Sequence, residues 1–258
     1  MQTHWIVTWG LCLGPSLASI GWTAPFVYNF GDALSSVSPA SAQRPWLTAE
    51  FADVAPGQVR LTVTASNLTA GEALRSLYLN VDPAINPRSL SFSVVEKVGA
   101  FEDPKVNVGF DTFKDIARSC VPRGGFDVDM TFATPGDAEA RFGAGSRLVC
   151  LIAGSPVAVG ESPALTAAAF AQTNARSEGK ASATPEVECR DPVILPAGIF
   201  YSLARIQGIG PCDAGAWISP VGGFTAVPEP APVAIILLGV GAACCAMLSR
   251  RSGAVRSR

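Results

Sequence analysis

The side chains that come closest to a chemical constellation in this sequence are Asp127 and Asp129, in the segment FDVDMTF. Residues two apart on a β-strand point to the same side of the sheet, so both carboxylates would share one strand face. Together with Asn107 or Asp111 they could supply the oxygen ligands that Ca²⁺ prefers. The favoured interpretation is a solvated outer strand face, because polar residues normally alternate with core residues there. Apart from these weak calcium candidates, the sequence predicts no metal site.

Histidine is almost missing, since the chain has a single one, His4, close to its start. A body without imidazole cannot build a Ser-His-Asp or Cys-His nucleophile pair, and it lacks the usual ligands of zinc and iron. Paired carboxylates could still serve a glycosidase, but alternate strand residues meet the required separation by default. The sequence therefore predicts a protein that is not an enzyme and that holds no cofactor.

Aromatic side chains and net charge bear on the choice of ligand. Trp46, Tyr78, Tyr201 and Trp217 are candidates for stacking on sugars, although their places in strand patterns favour packing in the core. Between residues 43 and 227, 19 acidic side chains outnumber 15 basic ones. A mildly acidic body argues against a nucleic-acid partner, because binding to phosphates needs a basic face.

Cysteine usage indicates an oxidising compartment. The body contains four cysteines, which are Cys120, Cys150, Cys189 and Cys212. In an exported domain this number suggests two disulfides, with three possible connectivities. Free buried thiols are the alternative, whereas the lack of C-x-x-C spacing argues against a zinc or redox site.

The first 42 residues are interpreted as an export leader. Residues 5–22, WIVTWGLCLGPSLASIGW, are apolar and uncharged, as the core of an export signal should be. The best A-x-A cleavage match is Ala40-Ser41-Ala42, and a poorer match ends near Ala24. No Lys or Arg precedes the apolar core, so the boundary of the leader stays open.

The last 32 residues, 227–258, have a different composition from the body. Residues 231–249 carry no charge, and a helix of this length spans about 28 Å, close to the roughly 30 Å hydrocarbon core of a bilayer. Arg250 and Arg251 follow directly and mark the cytoplasmic side by the positive-inside rule. The pattern predicts a C-terminal transmembrane helix, with the body on the far side of the inner membrane.

Between these ends, residues 43–226 alternate apolar and polar side chains with period two, which predicts strands. The strand-like segments are 46–51, 58–65, 76–81, 89–95, 126–132, 147–152, 199–206 and 216–219. Alternation implies one buried face per sheet, so we expect an all-β fold, a two-sheet antiparallel β-sandwich. Residues 163–172 are predicted as a short helix and residues 175–196 as a long surface loop.

Pro228-Glu229-Pro230, followed by the apolar span and Arg250-Arg251, resembles the PEP-CTERM sorting signal of Gram-negative bacteria. The resemblance implies that a membrane protease, exosortase, cuts near the tripeptide and releases or transfers the body. The body is also similar to a recurrent passenger of this signal, a β-rich group mostly of unknown function. That similarity rests on segments such as LTAEFADV, RLTVTASNL, LYLNVDPAINPRSLSFS, GFDVDMTF and RFGAGSRLVC.

The sequence thus predicts an exported structural protein of the cell surface or extracellular matrix of a biofilm-forming Gram-negative bacterium. Its expected partners are an exosortase-like membrane protease and, during transit, the inner membrane. The alternative is a module that binds exopolysaccharide or calcium at the cell surface.

Overall fold

The computed structural model describes residues 24–35, 37–111, 125–134, 136, 140–154, 164–173, 201–209 and 214–226. Within these ranges the chain is all-β, with ten strands and short 3-10 helices such as Pro87–Ser89 and Ala167–Phe170. The strands are β1 (Phe26–Ala33), β2 (Leu47–Ala55), β3 (Gln58–Thr64), β4 (Ala73–Leu79), β5 (Ser91–Val98), β6 (Lys105–Val108), β7 (Val128–Thr131), β8 (Arg147–Ala153), β9 (Ser202–Ile209) and β10 (Ala214–Ala226).

All ten strands pair antiparallel in one sheet, in the order β5-β8-β3-β2-β1-β10-β9-β4-β7-β6. The all-β prediction is confirmed, but the structure has one continuous sheet where we expected two. The alternation of apolar and polar residues shows only that each strand has one buried face. Two packed sheets and one sheet folded over itself produce the same alternation, so the pattern does not distinguish between them.

The sheet is curled until its two edges approach each other. Strands β5 and β6 lie at opposite edges, yet only residues 99–104 join them. A connection of this length reaches at most about 25 Å, whereas a flat sheet of ten strands would be roughly 43 Å wide at 4.8 Å per strand. Phe101, within the connection, is buried and its ring lies 4.7 Å from the ring of Phe142. The curled sheet therefore encloses the core on its inner face.

Aromatic rings from several strands fill part of this core. Phe51 stacks on Phe26 at 5.0 Å between ring centroids and on Phe170 at 4.9 Å. The buried Tyr28 hydroxyl donates a hydrogen bond of 2.7 Å to the carbonyl oxygen of Phe170. Burial, together with the neighbouring Tyr201, raises the pKa of the Tyr28 hydroxyl well above its ordinary value. These contacts attach the 3-10 helix Ala167–Phe170 to the inner face of the sheet.

The folded body begins earlier than we predicted. Strand β1 lies between β2 and β10, with Phe26 paired to both Phe51 and Ala226, and its alternate residues Phe26, Tyr28 and Phe30 are buried. Residues 26–33 thus belong to the middle of the sheet. The predicted division into a leader of residues 1–42 and a body of residues 43–226 is therefore corrected, because a cut after residue 42 would remove a central strand.

The remaining strand predictions agree with the structure. Each of the eight predicted segments overlaps an observed strand, whereas β1 and the short edge strand β6 were missed. The predicted helix 163–172 contains the 3-10 helix Ala167–Phe170. No helix within the described ranges is long and apolar enough to span a membrane. The predicted transmembrane helix 231–249 and the predicted loop 175–196 lie outside those ranges.

Candidate functional site

Outward side chains form two cross-strand rows on the half of the sheet made by β10, β9, β4, β7 and β6. They point outward because their strand neighbours Leu77, Met130 and Ala204 belong to the core. The first row, in register order, is Trp217, Arg205, Ser76, Thr131 and Lys105. The second row is Leu203, Tyr78, Asp129 and Asn107. Together with Arg75, the extra residue where the β4–β9 register shifts, these residues are called the aromatic-basic face.

A small aromatic cluster occupies the middle of this face. The ring of Tyr78 lies 5.8 Å from that of Trp217 and 5.8 Å from that of Phe126. Tyr78, Phe126 and Leu203 are buried, whereas Trp217 is half-buried. The Arg205 guanidinium carbon lies 5.7 Å from the centroid of the Trp217 ring, within the range of a cation–π interaction. The face therefore has an apolar base, against which Leu34 also packs, with a half-buried indole beside a cation.

The charges of the aromatic-basic face are predominantly positive. Arg75, Arg205 and Lys105 are cationic, whereas Asp129 is the single carboxylate of the two rows. The pKa of the Tyr78 hydroxyl is raised, chiefly by burial and to a smaller extent by the nearby Asp129. The hydrogen bond with Ser76 and the charges of Arg205 and Arg75 oppose this change. A locally basic face stands out on a body whose acidic side chains outnumber its basic ones.

Asp129 lies between two polar neighbours on the same face. The Thr131 hydroxyl donates a hydrogen bond of 3.1 Å to Asp129 Oδ1, and the Asn107 side chain, directly opposite in the register, also hydrogen-bonds the carboxylate. Burial raises the pKa of Asp129, and the two hydrogen bonds lower it in part. The predicted proximity of Asp129 and Asn107 is thus found in the structure.

The sequence predicts a solvated outer strand face for Asp127, and the structure differs from this prediction. Its side chain is buried, with Oδ2 accepting a 2.9 Å hydrogen bond from the Val81 N–H and Oδ1 accepting one of 3.0 Å from the Asp111 N–H. The residue precedes β7, where the segments that follow β4 and β6 enclose it. Its carboxylate therefore joins two loops. Among the described residues, no cluster of three His, Cys, Asp or Glu side chains could hold a metal ion.

Cys150 is a free, buried thiol on the inner face of β8, paired in register with Leu61 and Val94. Burial, with a smaller contribution from Asp103, raises the pKa of this thiol to about 11. Cys150 thus departs from the predicted pair of disulfides and agrees with the alternative of a free core thiol. The other candidates, which lie outside the described residues, are Cys120, Cys189 and Cys212. With Cys150 unpaired, these three can form one bridge at most among themselves.

Two other predicted sugar-stacking residues belong to the core. Trp46 is buried, and its indole N–H donates a 2.8 Å hydrogen bond to the carbonyl oxygen of Ser41. The half-buried Tyr201 packs its ring 5.7 Å from Phe224 and 6.3 Å from Tyr28. Of the four aromatic candidates, only Tyr78 and Trp217 are part of the aromatic-basic face.

A separate cavity of about 370 Å³ lies at the other end of β4, lined by glycines such as Gly71 and Gly143 together with Arg141 and Glu72. Glu72 is buried, and its two carboxylate oxygens accept 2.7 Å hydrogen bonds from the N–H groups of Ala40 and Thr69. The carboxylate therefore stabilises neighbouring loops, and the cavity indicates no particular class of ligand.

Sequence reasoning missed Arg205, Thr131 and Lys105 as site residues. Each alternates with core residues, so an outward orientation could have been inferred from the sequence alone. Their proximity to one another depends on the order and register of β9, β4, β7 and β6, because these strands come from distant parts of the chain.

The predicted sorting residues Pro228, Glu229, Pro230, Arg250 and Arg251 lie outside the described residues. Comparisons with protein-family models, with curated proteins and with solved structures find no match.

Proposed function

We propose that this chain is an exported structural protein of the cell surface or extracellular matrix, sorted by an exosortase-like membrane protease of a Gram-negative bacterium. The observation that carries the proposal is the order of features at the C-terminus. Pro228-Glu229-Pro230 precedes an uncharged span, residues 231–249, and the span is followed by Arg250-Arg251. In the proposal, residues 231–249 form a transmembrane helix that holds the chain in the inner membrane until the protease cuts near the tripeptide.

The geometry of the strand ends supports this proposal. Phe26, at the start of β1, is directly opposite Ala226, at the end of β10, so both apolar terminal segments connect to the same end of the sheet. Only residues 227–230 separate β10 from the proposed helix, and such a connection reaches at most about 18 Å. One membrane can therefore receive both segments, with the body held close to its surface.

We further propose that the leader ends near Ala24 rather than at Ala42. A cut after Ala24 leaves the whole of β1 in the mature chain, and the sequence Trp22-Thr23-Ala24 carries the poorer of the two cleavage matches. The absence of histidine downstream of His4 supports a role without catalysis.

Intact mass spectrometry of the protein recovered from the membrane and the medium of its host tests the proposal. The expected mature chain begins at Pro25 and lacks residues 231–258. A recovered protein that retains residues 231–258 in every fraction contradicts sorting by cleavage. A Pro228→Ala, Glu229→Ala, Pro230→Ala triple variant provides the matched control, since it should remain uncut in the membrane fraction.

The second candidate function is the binding of exopolysaccharide. The aromatic-basic face favours it, because this face combines a half-buried indole with hydrogen-bonding and charged side chains. Calcium binding, the other part of the predicted alternative, receives no comparable support, since both oxygens of Asp127 accept main-chain hydrogen bonds.

A further inference from the structure

The aromatic-basic face has the surface chemistry that suits a sugar chain. Sugar rings present apolar C–H faces, which pack on indole and phenol rings, and hydroxyl groups at their edges, which need hydrogen-bonding partners. The face offers the half-buried Trp217 next to the Tyr78 ring, and Thr131 and Asn107 farther along its two rows. At roughly 4.8 Å per strand, the row from Trp217 to Lys105 crosses five strands over about 19 Å. Ser76, in the middle of this row, is buried, so the contacts available to a sugar chain come from Trp217 and Arg205 at one end, the exposed Arg75 beside Ser76, and Thr131 and Lys105 at the other end.

The charges on the face indicate an anionic chain. Arg205, Arg75 and Lys105 oppose the single carboxylate of Asp129, on a body whose net charge is negative. Arg205 is already positioned beside the Trp217 ring, so it loses little side-chain freedom when it pairs with a ligand carboxylate. Guanidinium groups bind carboxylates through two parallel hydrogen bonds.

We propose that the aromatic-basic face binds an anionic polysaccharide whose sugars carry carboxylates. One sugar packs on Trp217 while its carboxylate pairs with Arg205, and the chain continues across the strands towards Lys105. This inference deepens the second candidate function, since it names the ligand class and the residues that bind it.

Titration of the purified full-length chain in neutral detergent against immobilised alginate, a polyuronate, tests the proposal. We expect saturable binding that weakens as salt is added, because ion pairs at a surface are screened. Arg205→Gln and Trp217→Ala should each weaken binding about tenfold or more, which corresponds to the loss of one good contact. Asp129→Asn should tighten binding, since it removes the one negative charge of the two rows.

Arg60→Gln is the matched control, because Arg60 is an exposed, outward arginine on β3, in the other half of the sheet. It should leave the affinity for alginate unchanged. If Arg60→Gln and Arg205→Gln weaken binding equally, the proposal is overturned. Equal binding of dextran, a neutral polysaccharide, would overturn the anionic assignment. Equal binding of single-stranded DNA would overturn the assignment to a polysaccharide, because the face would then bind any polyanion.

Folding defects can be separated from loss of the site. Lys105 is exposed on the edge strand β6, so Lys105→Gln should weaken binding while leaving the urea midpoint unchanged. If Lys105→Gln and Arg75→Gln, each as a single variant, both leave the affinity for alginate unaltered, the proposal is contradicted even if Arg205→Gln fails to fold. These binding measurements use purified protein and do not depend on sorting, so their outcome is independent of the mass-spectrometric test of export.

Discussion

The two halves of the sheet share one core, but they present different outer faces. The outward side chains of β1, β2, β3, β8 and β5 include Val27, Asn29, Asp32, Thr48, Glu50, Ala52, Arg60, Thr62, Thr64, Arg147, Val149, Leu151, Ser93, Glu96 and Val98. These side chains include no aromatic residue, and their two arginines are outnumbered by three carboxylates, with Glu96 paired to Arg147 and Asp32 paired to Arg44. The other half carries the aromatic-basic face, with its aromatic cluster and its excess of cations.

The comparison of the two outer faces shows which surface residues the fold does not need for stability. An ordinary outer face is stable with small polar residues, aliphatic residues and paired charges, as the half containing β3 illustrates. Folding does not require three cations on one outer face with a single carboxylate between them, because like charges repel one another. The second face is therefore the better place to look for a binding function.

Removal of β1 is expected to have the largest effect, because β1 joins the two halves. A chain that begins at Gln43 should lose cooperative unfolding altogether, since it lacks the buried side chains of Phe26, Tyr28 and Phe30. A chain that begins at Pro25 should unfold in one transition, which circular dichroism in urea can follow. Equal urea midpoints for the two chains would show that β1 is dispensable and that the leader can extend to residue 42.

The case of β1 shows where sequence patterns fail. Its segment FVYNFGDA alternates well only over Phe26, Tyr28 and Phe30, after which Gly31 and Asp32 end the pattern. The segment also lies between an apolar stretch that resembles an export signal and the best A-x-A match, Ala40-Ser41-Ala42, so the sequence-based prediction places it in the leader. The other strands alternate over longer runs, and the sequence predicted them at nearly their observed positions.

The candidate site was less predictable than the strands. Tyr78 and Trp217 were recognisable as aromatics, but 139 positions separate them along the chain, and the pairing of β4, β9 and β10 brings their rings to 5.8 Å. Asp127 and Asp129 look equivalent in the sequence, yet one is buried and one is half-buried. Their surroundings differ because loops enclose the start of β7, which local alternation does not encode.

Asp127→Ala tests the buried member of this pair and is expected to have the next largest effect. The change removes the acceptor of hydrogen bonds from the N–H groups of Val81 and Asp111. Loss of a charged acceptor for buried donors should lower the free energy of unfolding by about 3 kcal/mol. Urea denaturation measures the effect, and Asp129→Ala is the control, with a change expected to stay within about 1 kcal/mol. Similar losses for both variants would remove the distinction between the two aspartates.

Asp129→Asn should have the smallest effect on stability. It should raise the free energy of unfolding, whereas Asp127→Ala should lower it. Burial raises the pKa of Asp129 in the folded protein, so the folded state binds a proton at this site more tightly than the unfolded chain does. Ionised Asp129 therefore destabilises the fold, and this cost is absent below the unfolded pKa of about 3.9 and grows as the pH rises through the folded pKa. Asparagine avoids the cost and can still accept the hydrogen bond from Thr131.

The free energy of unfolding of Asp129→Asn at pH 7 should therefore exceed that of the unaltered chain by less than about 1 kcal/mol, because the carboxylate is partly screened by solvent. Urea titrations at a series of pH values should show the difference shrinking towards zero as the pH falls to about 4. If the variant is instead less stable at pH 7, the hydrogen bonds from Thr131 and Asn107 outweigh burial. The carboxylate would then be a structural part of this half of the sheet, like Asp127, rather than a charge that the fold can lose without harm.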